Sequence, residues 1–246
     1  MIARPHLVPP GPADHKYSRG LVTIVAGDMP GAAALAALGA ARSGAGYVQL
    51  VAPQRQPGLP FAIVQREEAE LSDPRVGAIV IGPGLGRADP IPALTADRPL
   101  VVDAEAIGAF ERTRGLAILT PHEGEFARRW PDLHGTRAER ALAAARATGA
   151  VILLKGAETV VAAPDGRVAT AAPAPHALAT AGTGDVLAGV CGTTLAQLRD
   201  PFLAAQAAVW LHAEAARAAG APLVADDLAA HLPAAVRNCW AASTNS

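Results

Sequence analysis

Aromatic and charged side chains are both scarce in this sequence. Aromatic residues make up 4% of its 246 residues and charged residues 17%, whereas 51% are hydrophobic. The formal net charge of -1 at pH 7 gives no electrostatic basis for binding nucleic acid or an anionic membrane surface. A chain of this length and composition can bury a large core, and it suits one large α/β domain.

Cysteines and long apolar runs are scarce as well. The two cysteines, Cys191 and Cys239, have neither metal-site spacing nor the number that a disulfide framework needs, which favours a reducing compartment. The first twenty residues lack the pattern of a secretion signal. The longest uncharged apolar run, residues 29–41, is too short to span a bilayer. We therefore expect a soluble, cytoplasmic protein with neither a nucleic acid nor a membrane as partner.

Short apolar runs alternate with helix-like segments along most of the chain. This alternation predicts a mostly parallel sheet with helices on both faces. We expect an extended arm at residues 1–15 and an antiparallel hairpin within 151–173. The remaining predicted strands lie at 21–27 and 47–53 and at the starts of 78–84, 99–107 and 116–129. The predicted helices are 31–46, 137–150, 183–197, 201–219 and 225–238.

Polar clusters follow five of the apolar runs. Because ligands of parallel α/β sheets bind at the carboxyl ends of the strands, these clusters are the candidate site. Each also has a structural explanation: a strand-to-helix turn, acidic residues at a helix start, or a lysine that reaches water. The clusters are "AGDMPGAA" (26–33), "IGPGLGR" (81–87), "TPHEGEF" (120–126), "LLKGAET" (153–159) and "TAGTGD" (180–185).

The last cluster combines two glycines with a carboxylate at a helix start. Backbone amides from Gly182 to Asp185 can form an anion-binding nest, and the Asp185 carboxylate can accept a proton from a nearby hydroxyl. A helix cap alone would explain the acid, but not the glycines before it.

The chain resembles the ADP-dependent NAD(P)H-hydrate dehydratase family. The motifs that carry this resemblance span residues 15–236 in order, and the combination of the 120–126 and 153–159 clusters separates it from other ribokinase-like enzymes. They are "HKYSRG", "VAGDMPGAAALAALGAARSGAG", "IGPGLG", "VVDAEAI", "LTPHEGEFARR", "LLKGAETVVAAPDG" and "ATAGTGDVLAGV". The resemblance implies a single ribokinase-like domain over 1–246, built as a three-layer α/β sandwich around a mostly parallel central sheet.

The reaction implied by the resemblance is the repair of a damaged nicotinamide cofactor. ADP phosphorylates the C6 hydroxyl of the hydrate with Mg²⁺ present, and loss of phosphate regenerates NADH or NADPH. By the same resemblance, Asp185 is the catalytic base, and Gly182, Thr183 and Gly184 hold the charge of the transferring phosphoryl group.

Binding residues are carried over position by position from the resemblance. Substrate contacts correspond to Ala32, Gly84, His122 and Asp185. Nucleotide contacts correspond to Lys155, Gly156, Ala157, Glu158, Thr159 and Gly184. No cluster predicts a dedicated metal cage, so the ligands of Mg²⁺ stay unassigned.

Two alternative functions stay open at this stage. One is a ribokinase-like small-molecule kinase that leaves the phosphate on its product. The other is an inactive nucleotide-binding relative, favoured by the departures from the family pattern at 175–177, by Ala181 in place of a common glycine and by a shortened 53–74 segment. The intact Asp185 argues against the second.

We also expect a homo-oligomer, most simply a tetramer. Alanine-rich helices at 31–46 and 201–219 offer flat apolar faces, and the second carries Val209, Trp210 and Leu211 together. Unburied apolar patches mark subunit contacts, and the resemblance points the same way. It also implies that an NAD(P)H-hydrate epimerase, if present, would be a separate chain.

Overall fold

A nine-stranded sheet forms the centre of the computed structural model, which describes residues 1–113 and 115–243, with the backbone alone described at 241–243. The spatial order of the strands is β3-β2-β1-β4-β5-β6-β7-β8-β9. Pairing is parallel from β3 to β7 and antiparallel from β7 to β9. In chain order the strands are Leu21–Val25, Tyr47–Val51, Ile63–Arg66, Val76–Ile81, Leu100–Val102, Ala117–Leu119, Val151–Leu154, Val160–Ala162 and Val168–Thr170.

Helices cover both faces of this sheet, which confirms the predicted mostly parallel α/β architecture. Neighbouring strand residues point to opposite faces, so Val101 packs in one apolar cluster and Val102 in the other. The α-helices, α1 to α8 in chain order, are Pro30–Arg42, Ile91–Leu94, Ala106–Ala109, Glu123–Arg129, Arg137–Thr148, Thr183–Leu198, Pro201–Ala219 and Ala225–Ser243. Residues of α1, α6, α7 and α8 belong to the first cluster, and residues of α2 to α5 belong to the second.

Helices α1 and α6 approach each other closely at glycine positions. A Cβ on Gly189 would lie 1.9 Å from the carbonyl oxygen of Ala36, and one on Gly39 would lie 2.4 Å from that of Val186. The small residues of α1 therefore allow it to pack closely against another helix, α6.

Several predicted boundaries and one strand were wrong. The 53–74 segment contains the edge strand β3, which the sequence analysis missed. Strand β5 occupies only the start of the 99–107 run, as predicted, because the chain turns at Asp103 and Ala106 already begins α3. Helix α1 ends at Arg42, and α8 extends to Ser243 although Pro233 lies inside it.

The N-terminal arm has no regular secondary structure but is held against the domain. The amide of Ile2 donates to the carbonyl of Thr170 at 2.8 Å, beside the edge strand β9. Ile2 and Leu7 are both buried in the first apolar cluster. The arm therefore covers an edge that would otherwise leave backbone groups unpaired.

The apolar face predicted for subunit contacts on α7 is largely inside the monomer. Val209 and Leu211 are buried, and Trp210 packs against the same cluster while partly exposed. Within the described residues, no helix has both the length and the apolar character needed to cross a membrane.

Candidate active site

The candidate site lies where α6 begins beside the carboxyl ends of β5, β6 and β7. Three of the predicted clusters meet there: the segment after β6, the segment after β7 and the start of α6. A parallel bridge pairs His122 with Lys155, and the Lys155 amide donates to the carbonyl of Pro121 at 2.8 Å. The fold therefore joins residues that the sequence places in separate motifs.

The start of α6 is shaped by Gly182. This residue is the N-cap and has a φ of 86°, a left-handed conformation that suits glycine. The Thr183 hydroxyl donates to the carbonyls of Leu178 and Thr180, both at 2.9 Å, so it holds the turn together. The amides of Gly184 and Asp185 belong to the first turn, where helical N–H groups lack an intrahelical partner. They are the donors that an anion would meet.

Asp185 does not cap this helix. The N-cap residue is Gly182, which has no side chain to form a capping hydrogen bond, and Asp185 lies in the first turn of the helix. Burial raises its pKa, and the neighbouring Asp103 raises it further, while Lys155 opposes both; the resulting pKa is about 6. The carboxylate is therefore a proton acceptor whose pKa lies close to neutral pH.

Lys155 makes its closest ion pair with Asp103 rather than with Asp185. Its Nζ donates to Asp103 Oδ1 at 2.8 Å and lies 4.0 Å from Glu125 Oε2. Burial alone would lower the pKa of Lys155, but the carboxylates of Asp103, Glu125 and Asp185 outweigh it and raise that pKa. The ammonium is therefore charged and reaches the start of α6, since a Cβ on Gly184 would lie 3.5 Å from Nζ.

His122 begins α4 and is fixed by a capping box. Its Nδ1 accepts from the amides of Gly124 and Glu125, and its own amide donates to Glu125 Oε2 at 2.7 Å. The Nε2 atom lies 3.4 Å from Glu125 Oε1. More than half of the histidine side chain is exposed, so it remains available to a ligand.

The segment after β7 borders a cavity of about 480 Å³. Lys155, Gly156, Ala157 and Thr159 line it, whereas the predicted nucleotide contact Glu158 is exposed and is not part of its wall. Thr183, Gly184 and His122 line the same cavity, and its volume is of the size that holds a small-molecule ligand. Residues Pro175 and His176, which depart from the family pattern, also face it.

Arg137 supports this wall from behind. Its guanidinium donates to the carbonyls of Leu154 and Lys155 at 3.2 and 3.0 Å and pairs with the Glu123 carboxylate. A Cβ on Gly156 would lie 2.6 Å from Arg137 Nη2, so a side chain there would displace the guanidinium. Neither Arg137 nor Glu123 had been assigned a role from the sequence.

The predicted substrate contacts Ala32 and Gly84 lie together, next to β1 and β4. The Met29 amide donates to the Gly84 carbonyl at 3.0 Å, and a Cβ on Gly84 would lie 3.2 Å from Ala32 Cβ. Gly84 has a φ of 67°, so it permits a close approach of the two loops. These two predicted substrate contacts are thus neighbours, but they do not line the cavity near Lys155.

His212 and Asp103 were missed by sequence reasoning. His212 lies on α7, is buried, and places Nε2 2.8 Å from the carbonyl of Thr183. Asp103 was part of the quoted "VVDAEAI" motif but received no role. A polar residue directly after an apolar strand was the only available signal for Asp103, and His212 has none, since it sits within a helical pattern.

The residues present suit Mg²⁺ only when the phosphate groups of a bound ligand supply part of its coordination. Magnesium prefers oxygen ligands and commonly binds one or two carboxylates together with substrate phosphates. In the described part of the chain, no group of three or more His, Cys, Asp or Glu side chains is arranged to hold a metal ion. The carboxylates of this site therefore fit such a partial role and do not form a complete cage.

Comparison with known proteins agrees with this geometry. Residues 22–236 match the family model for NAD(P)H-hydrate dehydratase. The ADP-dependent (S)-NAD(P)H-hydrate dehydratase of Bacillus subtilis is 39% identical to this chain over 88% of it and 85% of the relative. The bifunctional NAD(P)H-hydrate repair enzyme of Gloeobacter violaceus is 41% identical over 82% of this chain.

A solved structure extends the likeness to the whole fold. The Bacillus subtilis ADP/ATP-dependent NAD(P)H-hydrate dehydratase, co-crystallized with ATP/Mg²⁺, aligns with a TM-score of 0.82 at 34% identity and covers 95% of each chain. The present chain spans about half the length of the bifunctional relatives, 45% of the Gloeobacter protein. On these matches, the chain belongs to the NAD(P)H-hydrate dehydratase family.

Proposed function

We propose that this chain dehydrates (6S)-NAD(P)H-hydrate with ADP as phosphoryl donor. The C6 hydroxyl oxygen attacks the β-phosphorus of ADP, and AMP leaves. The C6–O bond of the phosphorylated hydrate then breaks, and loss of a ring proton restores the double bond of NADH or NADPH. The products are AMP, phosphate and the repaired cofactor.

The observation that carries this proposal is the environment of Asp185. A proton must leave the C6 hydroxyl as it attacks phosphorus, and a carboxylate whose pKa is about 6 accepts that proton near neutral pH. The carboxylate stands beside the amides that begin α6, where negative charge is stabilised. The base and the anion site are therefore adjacent, as phosphoryl transfer requires.

Lys155 and the cavity beside it are assigned to ADP. The charged ammonium and the amides of Gly184 and Asp185 can share the charge that develops on the transferring group. The turn from Gly156 to Thr159 would contact the rest of the nucleotide along the cavity wall. Glu158 is retained as a contact only through its backbone, because its side chain is exposed.

The damaged nicotinamide is assigned to the loops that carry Ala32 and Gly84 and to His122. Small residues at Ala32 and Gly84 allow a ring to approach the backbone closely, and the exposed His122 Nε2 can hydrogen-bond to the substrate. When bound with ADP, Mg²⁺ would supply charge neutralisation between phosphate oxygens.

A spectroscopic assay tests the proposal. Chemically hydrated NADH is mixed with protein, ADP and Mg²⁺, and the absorbance of reduced nicotinamide is followed together with AMP and phosphate. We expect equal amounts of NADH, AMP and phosphate. A stable phosphorylated product would favour the small-molecule kinase, and ADP binding without turnover would favour the inactive relative. Parallel runs with ATP and with hydrated NADPH establish donor and substrate preference.

We further propose that the chain assembles as a homo-oligomer, with a tetramer as the simplest case, in the cytoplasm. Support comes from Phe61, whose side chain is fully exposed, and from Leu203 and Val224, which are about half exposed. A separate epimerase would supply the (6S) form of the substrate. Size exclusion with light scattering tests the assembly, and a mass near 24.9 kDa at micromolar concentration would contradict it.

A further inference from the structure

Asp103 is a deeply buried, hydrogen-bonded residue near both Lys155 and Asp185. Only 2% of this residue is exposed, and Thr120 donates its hydroxyl to Asp103 Oδ1 at 2.7 Å. The Asp103 amide donates to the Ile81 carbonyl at 3.0 Å. The next residue, Ala104, has a φ of 46°, a conformation that a non-glycine residue adopts at some cost. The fold therefore holds the Asp103 carboxylate in one buried position.

Asp103 competes with two other carboxylates for the Lys155 ammonium. The sequence contains two lysines, Lys16 and Lys155. The ammonium of Lys155 is near three carboxylates, those of Asp103, Glu125 and Asp185. An ammonium paired with Asp185 would stabilise the ionised carboxylate and weaken it as a base. The ammonium instead donates a 2.8 Å hydrogen bond to the Asp103 carboxylate, which keeps it paired with Asp103.

We propose that Asp103 is a positioning residue, which holds the Lys155 ammonium toward the phosphoryl site and away from Asp185, so that the base stays unpaired. This inference rests on the proposed dehydratase reaction and adds a residue to its machinery. Asp103 itself touches neither substrate nor ADP in this assignment. It acts through Lys155 by a hydrogen bond and through Asp185 by its negative charge.

The charges that face Asp185 support this division of roles. Asp103 at the end of β5, Glu105 before α3 and Glu125 on α4 repel its ionised form, while Lys155 after β7 attracts it. Helix α7 contributes His212. Burial lowers the pKa of this histidine to about 4, so its imidazole is neutral near pH 7. Removing the Asp103 charge takes away a repulsion and frees the Lys155 ammonium to attract the Asp185 carboxylate. Both effects lower the pKa of Asp185.

Asp103→Asn tests the inference with two independent measurements. In the dehydratase assay we expect kcat to fall by about 10- to 100-fold, while KM for the hydrate stays within about threefold. The acidic limb of the kcat profile, which reports the base in the bound enzyme, should move by about one pH unit to lower pH. Asp165→Asn, an exposed carboxylate in the turn between β8 and β9, is the matched control and should behave as wild type.

The second measurement does not depend on activity. With carbon-13 at Cε of lysine, the spectrum contains two lysine signals, and Lys155→Met identifies the one from Lys155. In Asp103→Asn we expect Lys155 to lose its proton at lower pH than in the wild type, since burial then acts with less opposition. Thr120→Val, which removes the supporting hydroxyl but keeps both charges, should shift the Lys155 titration in the same direction and by less. It covers the case in which Asp103→Asn does not fold.

The outcomes separate this inference from the proposed function. An unchanged acidic limb and an unchanged Lys155 titration in folded Asp103→Asn would overturn the positioning role. Absence of dehydratase activity in the wild type would overturn the proposed function instead, and the Lys155 titration would still decide whether Asp103 holds that ammonium. Restoration of the wild-type titration by Asp103→Glu would support a role for the charge.

Discussion

The imidazole of His212 on α7 lies 2.8 Å, through Nε2, from the carbonyl oxygen of Thr183 at the start of α6. A carbonyl can only accept, so Nε2 carries the proton and donates it. Burial lowers the pKa of His212 to about 4 against an ordinary value of 6.5, and the ring is therefore neutral near pH 7. This contact joins two helices at the point where the anion-binding amides are presented.

His212 predicts an acid sensitivity of the fold. Below about pH 6.5 the unfolded chain binds a proton on this histidine and the folded chain does not until about pH 4, so stability falls as pH decreases through this window. We expect His212→Gln, which keeps a donor, to lose that part of the dependence, worth on the order of 3 kcal/mol. Chemical denaturation of both proteins at several pH values measures it. The partly exposed His231 is the control position, and a wild-type-like dependence in His212→Gln would contradict the assignment.

Asp185 predicts opposite effects on turnover and on stability. Asp185→Asn should lose about 10²–10⁴ in kcat, because an amide cannot accept the hydroxyl proton. Wild-type kcat should rise with pH through about 6, as the carboxylate ionises. Since the folded state binds this proton more tightly than the unfolded state, wild-type stability falls as pH rises from 3.8 to about 6.

Above that window Asp185→Asn should be the more stable protein. The full shift corresponds to about 3 kcal/mol, and water access to a partly exposed carboxyl reduces the expected gain to on the order of 1 kcal/mol. Thermal denaturation at pH 8 measures it. Asp226→Asn, in the exposed first turn of α8, should keep turnover and gain no stability. Wild-type turnover in Asp185→Asn would disprove the base assignment.

Gly184 predicts a loss of ADP binding when a side chain is added. Its Cβ would lie 3.5 Å from Lys155 Nζ, so the first carbon fits, but the branches of valine would fill the space for phosphate and press on the ammonium. We expect calorimetry to show ADP binding by Gly184→Val weakened by well over tenfold (about 1.4 kcal/mol or more). Gly108→Val is the control, because a Cβ there meets no atom within 4 Å. Undiminished binding in folded Gly184→Val would place the nucleotide elsewhere.

Gly189 predicts a stability effect away from the chemistry. A Cβ at this position would lie 1.9 Å from the Ala36 carbonyl oxygen, so Gly189→Ala must push α1 and α6 apart. The expected loss of unfolding free energy is about 3 kcal/mol. Gly31→Ala, in the other helix and with nothing within 4 Å of the added Cβ, should be neutral or slightly stabilising. Equal melting temperatures for the two variants would refute the close-packing explanation.

Local patterns were sufficient for much of the fold. Runs such as 21–25 and 151–154 are apolar apart from Thr23, so they predict strands covered from both sides, and both are strands. The edge strand β3 escaped prediction because it is four residues long and carries Gln65 and Arg66. Its hydrogen bonds come from β2 rather than from its own pattern, and no local signal records that pairing.

The candidate site was likewise predictable only in part from local sequence patterns. The amino-acid order alone places Gly182, Gly184 and Asp185 at a helix start, since glycine and acid at that position follow from local backbone geometry and helix charge. It does not reveal that Asp185 is unpaired, because that depends on Asp103 taking Lys155 from 52 positions away along the chain. Nor does it reveal His212, which reaches Thr183 across 29 positions. Burial and proximity set the proton affinities of these groups, and both exist only once the sheet has brought its strand ends together.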